Sequence, residues 1–141
     1  MKKLITILFI GLISFTINAQ DKVAKIKFKT DTVDYGTIEK GADGLRIFEF
    51  TNTGDAPLIV SKVTSSCGCT VPKWSQDPIL PGKTGEIQVK YDTNRVNPIR
   101  KTITVISNVD TPTVALKIKG EVIDSSKESV LEKKDKSLVE K

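Results

Sequence analysis

The residues in this chain best suited to chemistry are two cysteines separated by one glycine, Cys67-Gly68-Cys69, with no histidine anywhere in the 141 residues. Two thiols at that spacing can act as a small apolar element or local clip, a reversible redox pair, a ligand pair for a soft ion such as Cu(I), or partners in intermolecular disulfides. In an extended strand their Cα atoms would lie about 6.6 Å apart, with side chains pointing the same way. A disulfide wants its Cβ atoms about 3.5 to 4.5 Å apart, so Gly68 is expected to supply a bend that closes the gap. A bond closing so small a ring is expected to be strained, more oxidising and easier to reduce. Zinc would be left short of ligands by two thiolates alone, and no metal or other cofactor is expected.

The absence of histidine removes the usual general base of serine and cysteine hydrolases and the commonest nitrogen ligand for metals. Carboxylates could in principle cleave glycosides, but the Asp and Glu residues fall mainly at turns or on alternating outer positions. The sequence therefore reads as non-enzymatic. Trp74 and Tyr91 have the ring types of a sugar-stacking site, but Tyr91 fits the inward face of a strand and Trp74 fits the end of a core. Ser65 and Ser66 beside the cysteines suit hydrogen bonding to a ligand or, more simply, turn chemistry.

The elements that must position the cysteine pair are strands. Lys25–Lys29 alternates strictly, and Val33–Ile38 follows with a Gly36 interruption suited to a bulge. Leu45–Asn52 puts Phe48 and Phe50 on one face, and Asn52-Thr-Gly-Asp-Ala-Pro57 supplies turn residues before a strand from Leu58 to about Ser65. After the cysteines, Pro72 and Pro78 predict an irregular connection, because each proline removes a backbone donor. Glu86–Tyr91 is the clearest alternating segment, and Lys101–Ser107 and Val114–Val122 give two more, the last gathering Val114, Leu116, Ile118 and Val122. Seven or eight short strands at this spacing predict an all-β, immunoglobulin-like antiparallel β-sandwich over residues 20–123. A jelly roll or small barrel would share the strand pattern.

The flanks differ in kind. Met1–Ala19 has a basic start at Lys2 and Lys3, an apolar run over Leu4–Phe15 and a small-residue exit, the pattern of a cleavable signal peptide. The run is shorter than the roughly 20 apolar residues that span a bilayer, and no cysteine near the exit offers a lipid acceptor. An exported product, periplasmic or extracellular and without a stable membrane anchor, is expected. Loss of Lys2 and Lys3 would lower the formal charge from +5 to +3. The remaining lysines alternate with apolar residues as on solvated strand faces, so a nucleic-acid partner is not expected. Residues 124–141 are rich in Ser, Lys and Glu and read as a charged tail, flexible or weakly helical through Val130, Leu131, Leu138 and Val139.

The stretch from Phe48 to Val122 resembles a family of exported bacterial domains of unknown function, family 1573, related to Hydin-type and major-sperm-protein-like immunoglobulin folds. The matching residues are Asn52-Thr-Gly-Asp-Ala-Pro-Leu58, Ser66-Cys-Gly-Cys-Thr70, Pro72 with Trp74, Pro81-Gly82, Gly85-Glu-Ile-Gln-Val89, and Gly120 with Val122. Asp34-Tyr35-Gly36-Thr37-Ile38 looks like that family's opening strand. The resemblance implies an immunoglobulin-like sandwich and supplies no activity. The expected role is a non-catalytic interaction or structural module of the cell envelope, binding a protein or surface polymer through loops or a sheet edge. The alternative is a thiol redox or soft-metal protein acting through Cys67 and Cys69.

Overall fold

The structure, a computed structural model, describes residues 21–126; the expected signal peptide and residues 127–141 of the expected tail lie outside them. Eight strands follow in chain order: β1 (Ile26–Phe28), β2 (Thr32–Glu39), β3 (Leu45–Asn52), β4 (Val60–Ser65), β5 (Thr70–Trp74), β6 (Thr84–Tyr91), β7 (Pro98–Ser107) and β8 (Thr113–Ile123). They form two four-stranded sheets ordered β1-β3-β6-β5 and β2-β8-β7-β4. No helix among the described residues is long and apolar enough to cross a membrane.

Alternation explains how the sheets meet. Phe48 and Phe50 on β3 and Ile87, Val89 and Tyr91 on β6 turn inward from the first sheet. Val60 and Val63 on β4, Ile99, Ile103 and Val105 on β7, and Leu116, Ile118 and Val122 on β8 meet them from the second. All these residues belong to one contiguous core, as an aligned sandwich requires.

Two expectations are corrected. The sandwich is not wholly antiparallel, because β2 runs parallel to β8, pairing Thr32 with Lys117 and Glu39 with Ile123. Strand alternation says which face is buried but not which neighbour a strand takes. The opening segment divides its strands between the sheets, with β1 antiparallel to β3 and β2 beside β8. Between Asp34 and Thr37 the parallel register shifts. Gly36 sits there with φ +64°, and its N–H donates to Asp34 Oδ1 at 2.8 Å. Gly120 on β8 faces this bulge with φ +145°; a Cβ there would lie 2.7 Å from Tyr35 Cβ and 2.8 Å from the Gly36 carbonyl oxygen. Both positions need glycine.

The second correction concerns Thr70–Trp74, which is a strand rather than an irregular connection. It pairs with β6 from Thr70–Tyr91 to Trp74–Ile87. Pro72 is tolerated because β5 is an edge. Cys69 accepts a hydrogen bond from Asp92 N, which sets the ladder's phase and turns the missing Pro72 donor toward the free side.

Candidate functional site

β4 ends in the second sheet and β5 begins in the first, so Ser66, Cys67, Gly68 and Cys69 carry the chain across the side of the sandwich. Both ends of the crossing are tied down. Ser66 N donates to Thr102 O at 2.9 Å, while Ser66 Oγ accepts from Thr102 N at 3.2 Å, extending the β4–β7 ladder. On the far side, Cys69 O accepts from Asp92 N at 2.9 Å and opens the β5–β6 ladder. Ser65 Oγ accepts from Cys67 N at 3.4 Å. Both serines thus serve backbone groups.

The structure joins Cys67 to Cys69 through a disulfide with a Cα–Cα distance of 5.3 Å. This is shorter than a flat strand allows and inside the range that disulfides occupy. The bend does not come from a left-handed glycine: Gly68 is absent from the positive-φ positions, and a Cβ built on it would meet nothing within 4 Å. Its own fold does not demand glycine there. The two sulfurs differ in access, since Cys69 is 5% exposed within the core while Cys67 is half-buried against it. Thr70, itself buried, places Oγ1 3.8 Å from each Sγ. In the oxidised form neither sulfur is a thiolate that could hold a soft metal. No group of three or more His, Cys, Asp or Glu side chains that could hold a metal is present among the described residues.

Charge near the crossing is committed elsewhere. The carboxyl of Asp92 is held below its ordinary range first by the Asn94 backbone N–H, then by the Asn94 amide and Arg95. Tyr91 is buried, with its ring edge-on to Tyr35 at 6.2 Å. Trp74 packs against the core and donates Nε1–H to Val60 O at 3.1 Å. Tyr91 therefore offers no open stacking platform, whereas the half-buried Trp74 lines a surface cavity of about 380 Å³ with Lys73, Pro78 and Glu86.

A feature overlooked in reading the sequence lies on the outer face of the first sheet. Leu45, Ile47 and Val71 are exposed by 38%, 44% and 56%, and pairing of β3 and β5 with β6 sets them around Gln88 and Lys90. A shallow depression of about 420 Å³ is lined by Asp43, Leu45, Val71, Lys73, Gln88 and Lys90. The signal was visible in β3, where Leu45 and Ile47 alternate out of phase with Phe48 and Phe50. The sheet edges are less inviting. β1 is three residues long, β2 is bulged, β4 has its Val60 carbonyl taken by the Trp74 indole, and β5 carries Pro72.

Known structures share this architecture. A protein of unknown function from Porphyromonas gingivalis W83 superposes with a TM-score of 0.60 at 22% identity, over 71% of this chain and 46% of that one. This chain therefore spans less than half of that protein's length. The ASH/PapD-like domain 7 of human CEP192 gives a TM-score of 0.60 at 10% identity, over 79% of this chain and 96% of that domain. A chain of the CsuC–CsuE chaperone–tip adhesion subunit pre-assembly complex from Acinetobacter baumannii gives 0.51 at 11% identity, over 70% and 57%. At these identities the likeness is one of fold, an immunoglobulin-like sandwich. No curated protein matches the chain. The family described as "Protein of unknown function (DUF1573)" matches residues 26–122, nearly the whole sandwich with its cysteine crossing, and the chain belongs to that family.

Proposed function

We propose that this domain is an exported, non-catalytic interaction module of the cell envelope. It takes a protein partner on the outer face of the β1-β3-β6-β5 sheet. The observation that carries this reading is the exposed trio Leu45, Ile47 and Val71 beside a shallow depression. A large exposed apolar group gains by being covered, and Lys73 and Lys90 at its margin, against the single carboxylate of Asp43, favour a partner with acidic side chains around an apolar centre. The guarded edges make strand addition a poor route of binding, because a partner strand along β5 would find no donor at Pro72. Export is supported by the basic and apolar pattern of Met1–Ala19. A similar fold in the CsuC–CsuE chaperone–tip adhesion subunit pre-assembly complex lends support to this reading.

Photo-crosslinking amino acids at Val71 and at Ala115, an exposed residue on the opposite sheet, test the reading. In envelope preparations, Val71 should give a discrete adduct that Ile47→Lys abolishes, and Ala115 should give none. Equal labelling from both faces would sink the proposal.

A further inference from the structure

We propose that the Cys67–Cys69 disulfide is a thiol–disulfide exchange site that oxidises dithiols in extended polypeptide segments, with Cys67 as the sulfur attacked. This goes beyond partner binding at the outer sheet face and does not depend on it.

Four observations converge. The bond links residues only two apart in sequence, so it removes little chain entropy from the unfolded state and makes a poor structural staple. Both flanking ladders are held by backbone bonds, Ser66 N to Thr102 O and Asp92 N to Cys69 O, so the crossing is positioned without the disulfide. The two cysteines are unequally buried: Cys67 is half-buried against the core, whereas Cys69 is 5% exposed within it. Gly68 between them is exposed, and neither its φ nor any neighbour within 4 Å requires glycine. A residue that the chain's own packing does not explain leaves the flank of the bond open to an incoming backbone.

The exchange balances without an outside oxidant. A partner thiolate attacks Cys67 Sγ, the Cys67–Cys69 bond breaks, and its electron pair leaves on Cys69 Sγ. That thiolate emerges beside the Thr70 hydroxyl, 3.8 Å away in the oxidised state, which can donate a hydrogen bond until solvent supplies a proton. The partner's second thiolate then attacks the partner sulfur of the mixed disulfide and expels Cys67 as a thiolate, which takes a second proton. The partner dithiol has lost two electrons and two protons to become a disulfide, and the cysteine pair has gained them. A bond closed between residues only two apart belongs to the constrained class of disulfides whose more oxidising potentials drive this direction.

The test uses the full chain in its oxidised state, mixed without oxygen with a synthetic extended peptide carrying two reduced cysteines. Mass tagging of free thiols should show one peptide disulfide formed for each Cys67/Cys69 pair reduced. A bond that persists under native conditions and yields only in denaturant would overturn the proposal. The order of attack is read from single variants with oxidised glutathione. The free Cys67 of Cys69→Ser should form a mixed disulfide at least about tenfold faster than the free Cys69 of Cys67→Ser. Equal or reversed rates would overturn the assignment to Cys67. Gly68→Val should keep the native thermal midpoint yet slow peptide oxidation by about threefold or more. An unchanged rate in that variant would refute the role given to the open flank.

Discussion

The two ends of β6 are finished in opposite ways. At its start, where Thr84 pairs with Thr51, the neighbouring Asn52 is fully buried and its side chain saturated. Its Nδ2 donates to Ala56 O and Ile79 O, both at 2.8 Å, and its Oδ1 accepts from Gly54 N at 3.0 Å and Lys25 N at 3.4 Å. One amide therefore ties the chain entering β1, the turn after β3 and the segment before β6. At the other end, where Tyr91 pairs with Thr70, the link is a disulfide between a half-buried and a buried cysteine beside an exposed glycine. A buried polar hub with every valence used can only hold the fold together. A covalent link between residues two apart adds little to holding the fold, which is why the exchange proposed above is placed at this end.

The contrast can be broken most decisively at the hub. Asn52→Ala should lower unfolding free energy by about 3 kcal/mol, because it strands buried backbone groups as well as deleting bonds. Asn52→Asp should cost nearly as much, since a carboxylate cannot donate to the two carbonyls; urea titration measures both. A mild Asn52→Asp would mean that shape, not donation, is what the hub supplies. At the opposite end, reducing the disulfide in the unaltered chain should cost only about 1.5 kcal/mol, the entropy of a very short loop. A larger loss would return the disulfide to a structural role.

Tyr35 tests whether that second end is held by other means. Its hydroxyl donates to Gly44 O at 2.8 Å, the same carbonyl that accepts Tyr91 N. Tyr35→Phe should cost about 1 kcal/mol by thermal or chemical melts. Burial pushes the Tyr35 hydroxyl from its ordinary 10.0 up to about 12, so the neutral phenol is the form the fold favours. Its contribution is fully present below pH 10 and is lost as pH rises through about 12, a decline that Tyr35→Phe should lack. The smallest effect belongs to Ser107, whose buried Oγ has no hydrogen-bond partner. Ser107→Ala should change stability by no more than about 0.5 kcal/mol, in the stabilising direction.

Much of this architecture could be read before any coordinates, because period-two patterns report directly on which face is buried. Leu45–Asn52 matches β3 from end to end, and Gly36 falls at the bulge its type suggests. What could not be read depends on partners far along the chain. Asn52 looked like turn chemistry because its acceptor at Ile79 lies 27 residues away. The parallel β2–β8 pairing brings Tyr35 and Gly36 against the distant Gly120, and the strand at Thr70–Trp74 hid behind Pro72 because an edge position is invisible locally. For the candidate site, the cysteine pair stood out by composition. The unequal access of its sulfurs and the unforced glycine between them emerge only when the two sheets close around the crossing.

The parallel pairing of β2 with β8 also governs how the domain bears load. Because these first and last long strands lie side by side and point the same way, a pull at the start of β2 and one at the end of β8 act at opposite ends of one ladder. Force then shears the hydrogen bonds between them together instead of unzipping them singly. Mechanical rupture is limited by the rate of crossing that barrier rather than by equilibrium stability. Tension between those two points therefore meets the whole β2–β8 ladder at once.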